Sequence, residues 1–219
     1  MDTKYISFKE VLKKYNLNEI NYTYINRKSL ELLSDNDNNI KLRVGEKFIL
    51  TLTNFFNVTN LKNTDNFDFS GYASDFFSVC QNKSYKMAIY GGSLEENSKF
   101  IKKISSKFKV NIVDGKHGFF DNNYYVDRVK SLKVDIVLLG LGNPKQNIIL
   151  SKLSKLSITG IHTCGAFISQ EASSDKNYYN SSKLPRWLVR SFKEKGHFTR
   201  VLWTSLTSFF KIIKFRYFK

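Results

Sequence analysis

The chain has 219 residues, of which 42% are hydrophobic and 15% aromatic, enough to bury a real core and too apolar for a disordered tail. Lys and Arg number 35 against 19 Asp and Glu, a formal net charge of +16, so the protein should seek polyanions: nucleic acid, an anionic bilayer or phosphorylated substrates. Cys80 and Cys164 are far apart and match no metal spacing, as expected of reduced interior residues in a cytoplasmic protein. The N-terminus has no apolar signal core, and no uncharged apolar run reaches the length of a bilayer span.

Residues 1–46 are polar and uneven. Phe8, Val11, Leu12 and Tyr15 have helical spacing and predict a short amphipathic helix. The run S-D-N-D-N-N at 34–39 contains a D-x-D, a pattern that can hold a divalent metal, but no buried strand leads into it and it reads as a turn. Residues 47–52 (K-F-I-L-T-L) predict the first core strand, ending in Thr53 and Asn54. Polar residues there either meet a ligand at the carboxyl end of the strand or cap the next helix, and both readings stand. Residues 57–78 are turn-rich. Asp65, Asp68 and Asp75 lie there among aromatics, as loop or cap residues or as acid–base candidates.

A second strand at 86–90 is stopped by Gly91, Gly92 and Ser93 and followed by a charged helix over 95–108. A third, at 110–114, is closed by Gly115 and leads through H-G-F-F-D-N-N into a helix over 124–132. The wholly apolar run at 136–139 has the pattern of a strand buried on both faces of a parallel sheet. Gly140, Gly142, Asn143 and Pro144 then force a tight loop, with Lys145 and Gln146 just before a helix over 147–156. Such a turn either joins strand to helix and nothing more, or turns backbone N–H groups and the lysine toward an anion. Residues 157–161 predict a further strand, followed by a loop carrying His162 and Gly165; His162 is a loop histidine or a catalyst.

This alternation predicts an α/β fold, a Rossmann-like open and mostly parallel sheet with helices on both faces and its loops along one edge. Two regions are expected: residues 1–183 as the α/β domain and 184–219 as a basic, aromatic appendage. In the appendage, Trp187, Leu188, Trp203, Leu206, Phe209, Phe210, Ile212, Ile213 and Phe215 are too many for one core-facing stripe. With Lys211, Lys214, Arg216 and Lys219 they suit an amphipathic helix in a membrane interface, the competing reading being a terminal helix packed on the domain.

G-L-G-N-P-K-Q at 140–146 resembles the G-x-G-x-P-K-Q signature of the WecG/TagA/CpsF family of bacterial glycosyltransferases, though relatives usually continue with Glu where this chain has Asn147. Four further blocks match in order and spacing: T-L-T-N at 51–54, I-Y-G-G at 89–92, H-T-C-G-A-F-I-S-Q at 162–170, and the Arg/Trp-rich stretch from Leu184 to Val201. The resemblance implies an N-acetylmannosaminyltransferase-like enzyme that moves a sugar, with inversion, from a UDP-sugar to a polyprenyl-diphosphate-linked saccharide. It would act peripherally at the inner face of the bacterial cell membrane, in surface polysaccharide, capsule or teichoic acid synthesis. The implied partners are the donor, the lipid-linked acceptor and an anionic membrane surface. Nucleic acid is not among them, no cofactor or metal is called for, and a homo-oligomer is left open.

On this resemblance Thr53, Asn54, Gly91, Gly92, Gly140, Gly142, Asn143, Lys145, Gln146 and Gly165 are the expected donor-binding residues. Arg186, Arg190 and Arg200 are expected on the acceptor or on diphosphates. The family's usual base is the Asp of an Asp-Gly pair, where this chain has Ser70 before Gly71. Asp68 or Asp75 would then take over, and Asp68 is the replacement expected here; the alternative is a nucleotide-sugar-binding module of the same fold whose chemistry is impaired.

Overall fold

The computed structural model describes residues 20–25, 40–44, 51–53, 55–56, 69–173 and 197–217. Among these residues six strands form one all-parallel sheet: β1 (Ile20–Ile25), β2 (Ile40–Val44), β3 (Lys86–Gly91), β4 (Asn111–Lys116), β5 (Ile136–Gly140) and β6 (Gly160–Thr163), in the order β2-β1-β6-β5-β3-β4. The helices are α1 (Ala73–Asn82), α2 (Leu94–Lys107), α3 (Asn122–Leu132), α4 (Lys145–Leu153), α5 (Phe167–Ser173) and α6 (His197–Tyr217). This is the Rossmann-like open sheet expected, with a helical C-terminal element.

Chain direction decides which face each helix covers. Parallel crossovers are right-handed, so connections moving one way along the sheet lie on one face and those moving the other way lie opposite. The steps into β3 and from β3 to β4 run one way, carrying α1 and α2. Those from β4 to β5 and from β5 to β6 run back, carrying α3 and α4. The two cores agree. Met87, Ile89, Ile136 and Leu138 pack against Phe76, Phe77 and Cys80 of α1, Phe100 and Ile104 of α2, and Ile168 of α5. Ala88, Tyr90, Val137 and Leu139, the alternate residues of the same strands, pack against Tyr125 and Val129 of α3, Ile149 and Leu153 of α4, and Ile212 of α6.

Several sequence expectations need correction. No strand was expected before residue 47, yet β1 and β2 extend the sheet. The expected strand at 47–52 does not hold at its end: residues 51–53 are helical, and 45–50 lie outside the described residues. Leu52 and Phe56, one helical turn apart and joined by a Phe56 N–H to Leu52 carbonyl bond of 3.0 Å, both lie against the α3–α4 core, which favours a turn of helix over a strand. Part of the turn-rich stretch at 57–78 is α1, whose Ala73, Phe76, Phe77 and Cys80 fall on one buried stripe. Gly115 lies within β4, and His162 and Thr163 lie within β6. The expected N-terminal helix and the D-x-D at Asp35 and Asp37 lie outside the described residues.

Helix α6 packs on the domain along one side, as the second reading of the tail expects. Ile212 and Ser208 are buried, and the ring of Phe56 meets those of Phe209 and Tyr217 at 6.0 and 6.4 Å. Its other side is apolar and exposed at Leu202, Trp203, Leu206 and Phe210. No helix of the described residues is long and apolar enough to cross a membrane.

Candidate functional site

The step out of β3 leads toward β4, and the step out of β5 leads the other way, toward β6. The carboxyl ends of these adjacent strands are therefore a topological switch point, where helices diverge to opposite faces and leave a crevice. Both strands end there in glycine, with Gly91 opposite Gly140 in register.

The glycines have different duties. A Cβ on Gly91, at φ +152°, would stand 2.4 Å from the Gly140 carbonyl oxygen, and one on Gly140 would stand 2.7 Å from Ile168 Cδ1. These two residues let backbone pack on backbone and α5 close over them. Gly92 is similarly hemmed in by Glu96 and Ile168. Gly142 and Gly165, at φ +71° and +57°, have no atom of the described residues within 4 Å of an added Cβ, so among the described residues the open space at this end lies over them.

The two helix starts flanking the crevice differ in charge. At α2 a complete capping box consumes the end: the Glu96 backbone N–H donates to Ser93 Oγ at 3.1 Å, and Glu96 Oε2 accepts from the Ser93 N–H at 2.6 Å. The same Glu96 oxygen accepts from Ser169 Oγ at 3.0 Å, and Glu95 adds a second acid to the turn. That end repels a phosphate. At α4 the N-cap is Pro144, after a cis Asn143–Pro144 bond, with no capping side chain and no acid in the first turn. The N–H groups of Gln146 and Asn147 donate within the turn, to the Gly142 and Pro144 carbonyls at 2.9 and 3.0 Å, and no carboxylate offsets the positive end of the dipole.

Polar atoms without partners gather at the same turn. Asn143 Oδ1, Gln146 Oε1 and Asn147 Nδ2 are buried and make no hydrogen bond among the described residues, and Gln146 as a whole is only 3% exposed. Buried polar atoms are nearly always paired, so three orphans on five consecutive residues ask for a ligand or water. Asn147 Oδ1 is held by Thr23 Oγ1 at 2.9 Å, which also shares a hydrogen bond with Thr163 Oγ1 at 3.0 Å. This ties α4 to β1 and to the end of β6.

Lys145 does not project freely. Its ammonium donates to the carbonyl oxygens of Gly118, at 2.9 Å, and of Phe120, and lies 5.2 Å from the centre of the Tyr125 ring. Burial lowers its pKa from the ordinary lysine value, with Asp121 pulling the other way. The loop it reaches carries an aromatic column: His117 stacks on Phe120 at 4.2 Å and Phe120 on Tyr124 at 4.0 Å, while Phe119 stands 78% exposed.

Asn97, which the sequence did not single out, fixes this end of the sheet. Its Nδ2 donates to the carbonyls of Gly91 (3.0 Å), Lys116 (3.0 Å) and Ile89 (3.3 Å), joining the ends of β3 and β4. Nearby, Arg128 grips the buried Asp114 carboxylate through Nε at 3.0 Å and Nη2 at 2.8 Å, with Tyr90 donating its hydroxyl at 2.9 Å. Burial pushes the Asp114 pKa up, but the bonds from Arg128 and Tyr90 outweigh it and hold the carboxyl below its usual value. A groove of about 510 Å³ runs between β4 and α2 past Asn97, Lys102 and Lys116, and none of the orphaned atoms line it.

The remaining sequence candidates fall as follows. Thr53 is buried in its helical turn, and Asn54 lies outside the described residues. Asp65, Asp68, Arg186 and Arg190 are also outside them; Arg200 falls in the first turn of α6 with its side chain undescribed. Asp75 is exposed on α1. His162 is fully buried beside Phe76 at 5.0 Å, and burial drives its pKa well down, so the ring is neutral and without access to solvent. Ser70 and Gly71 belong to a 3-10 turn, Phe69–Gly71. Among the described residues no group of three or more His, Cys, Asp or Glu is placed to hold a metal ion.

Compared with known proteins, the chain matches the model of the glycosyl transferase WecG/TagA/CpsF family over residues 49–219. No curated protein sequence matches it.

Proposed function

The chain belongs to the WecG/TagA/CpsF family of glycosyl transferases, and on that premise we propose that it moves an N-acetylmannosamine-type sugar from a UDP-sugar to a polyprenyl-diphosphate-linked saccharide. The observation carrying this reading is the start of α4: without a side-chain cap, free of acids, beside the switch point, with three buried polar atoms that have no partner among the described residues. The donor diphosphate lies against the backbone of that turn, over Gly142 and Gly165, where helix dipole and open space coincide. Thr53, Asn54, Asn143 and Gln146 meet the sugar and uridine, and Gly91, Gly92 and Gly140 shape the floor. The aromatic rim at His117 and Phe119 offers a flat surface to the base.

In an inverting transfer the acceptor hydroxyl attacks the anomeric carbon from the face opposite the diphosphate. As the new C–O bond forms, the bond to UDP breaks, and a carboxylate, Asp68 in this proposal, takes the hydroxyl proton. The charge growing on the departing UDP is stabilised at the α4 terminus. Arg186, Arg190 and Arg200 bind the acceptor's diphosphate. Residues 1–183 form the transferase domain. Residues 184–219 bring it to the cytoplasmic face of the bacterial membrane, where surface polysaccharide, capsule or teichoic acid is assembled. The outward stripe of α6, flanked by the exposed Lys211 and Lys214, suits an anionic bilayer.

UDP release from a panel of UDP-sugars, with and without a short-chain prenyl-diphosphate saccharide, tests this directly. Release that depends on the acceptor is expected, with at least a tenfold loss in Asp68→Asn. Ser70, standing where relatives carry the Asp of Asp-Gly, favours a second reading, a nucleotide-sugar-binding module with impaired chemistry. Donor binding with no turnover on any acceptor would select it.

A further inference from the structure

We propose that Lys145 is a positioning residue: it latches the aromatic loop at 117–120 in place and is not a direct ligand of the donor's phosphates. The inference rests on the nucleotide-sugar reading above and refines it. Three carbonyls of the loop point inward and each has one partner. Tyr125 Oη donates to the His117 carbonyl at 2.8 Å, while Lys145 Nζ serves those of Gly118 and Phe120. The loop's amides are occupied as well. Gly118 N–H donates to the Gly92 carbonyl at 2.8 Å, Phe119 N–H to His117 Nδ1 at 3.2 Å, and Phe120 N–H to Tyr125 Oη at 3.2 Å.

Lys145 thus joins the β5–α4 turn to the β4–α3 loop, while the Gly118–Gly92 bond joins that loop to the β3–α2 turn. All three switch-point loops are locked through residues 117–120. The ammonium is spent on two carbonyls and the face of the Tyr125 ring, and burial already disfavours its charge. Moving it onto a phosphate would leave the Gly118 and Phe120 carbonyls without their donor and free the rim on which the base rests.

The two roles predict different dependence on phosphate number. Affinities for uridine, UMP and UDP would be measured by calorimetry for wild type, Lys145→Met, Lys145→Arg and Phe119→Ala, with hydrogen exchange of the ligand-free proteins read over 117–120. As a latch, Lys145→Met weakens all three ligands by a similar factor, about tenfold, and speeds exchange at Gly118 and Phe120. Lys145→Arg restores part of both. Phe119→Ala, at an exposed position that folding does not need, weakens all three ligands alike and leaves exchange at Gly118 unchanged.

A loss in Lys145→Met that grows from uridine to UDP, with uridine itself unaffected, would overturn the proposal in favour of a phosphate ligand. Unchanged exchange at Gly118 and Phe120 would overturn it as well. Wild-type protein that binds none of the three compounds would sink the nucleotide reading instead, and the exchange comparison would still decide whether Lys145 holds the loop.

Discussion

Replacing Asn97 should show how far the site depends on one amide. Its Nδ2 meets three carbonyl oxygens, two of them at 3.0 Å at the ends of β3 and β4, and the residue is 3% exposed. In Asn97→Ala the Gly91 and Lys116 carbonyls lose their donor at about 1 kcal/mol each, and a small cavity adds a similar amount, giving about 2–3 kcal/mol. In a domain of this size that lowers the midpoint of thermal unfolding by roughly 5–10 °C. Asn97→Asp sharpens the test, because the shape is kept while an ionised carboxylate, which can only accept, is set against three acceptors. The aspartate should therefore be less stable than the alanine at pH 7 and should recover toward it as the pH falls and the carboxyl becomes a donor. Denaturant melts of the three proteins at pH 7 and pH 4 supply the numbers. An aspartate variant as stable as wild type at pH 7 would refute the reasoning, since it would mean that donation to these carbonyls contributes nothing.

Three other substitutions probe separate claims. Gly91→Ala should destabilise severely, because its Cβ meets the Gly140 backbone, whereas Gly142→Ala meets no atom of the described residues and should cost about 1–2 kcal/mol for its left-handed φ alone; thermal melts compare them. Because the folded Asp114 pKa is depressed, its contribution is fully present above the unfolded carboxylate pKa and is lost as the pH falls through the folded value. Wild type should thus lose stability in acid below about pH 4, and Asp114→Asn should be less stable at pH 7 and flatter over that range, as read by urea titrations. Replacing Trp203, Leu206 and Phe210 together by Glu should reduce binding to anionic vesicles by at least about a hundredfold, since each side chain forfeits roughly 1 kcal/mol or more of burial. Because all three are exposed, the melting temperature should stay within a few degrees of wild type.

The strands that frame the crevice were legible because β3 and β5 are continuous apolar runs ended by glycine, a pattern few other structures produce. Strand β1 was not, because I-N-Y-T-Y-I mixes polar residues into the run. Its buried Thr23 is satisfied by Asn147 and Thr163, more than 120 residues away, and no local window contains that information. Helix α1 was hidden for a different reason. Ser, Gly and Asp around it suggested turns, although Ala73, Phe76, Phe77 and Cys80 already carried the helical spacing. In the site, the sequence supplied the charge of Lys145 but not its direction, because the carbonyls that capture it belong to a loop after another strand. Asn97 had no signal at all: an asparagine within a charged helix looks like any solvated residue until its neighbours are known.

The central claim is that the donor's diphosphate lies at the start of α4, and a structure of the protein with UDP tests it most directly. The account predicts phosphate oxygens about 3 Å from backbone nitrogens of that turn, beside Gly142 and Gly165, with Asn143 or Gln146 completing the contacts. A nucleotide seated instead in the groove between β4 and α2, or at the amino ends of the strands, would contradict it.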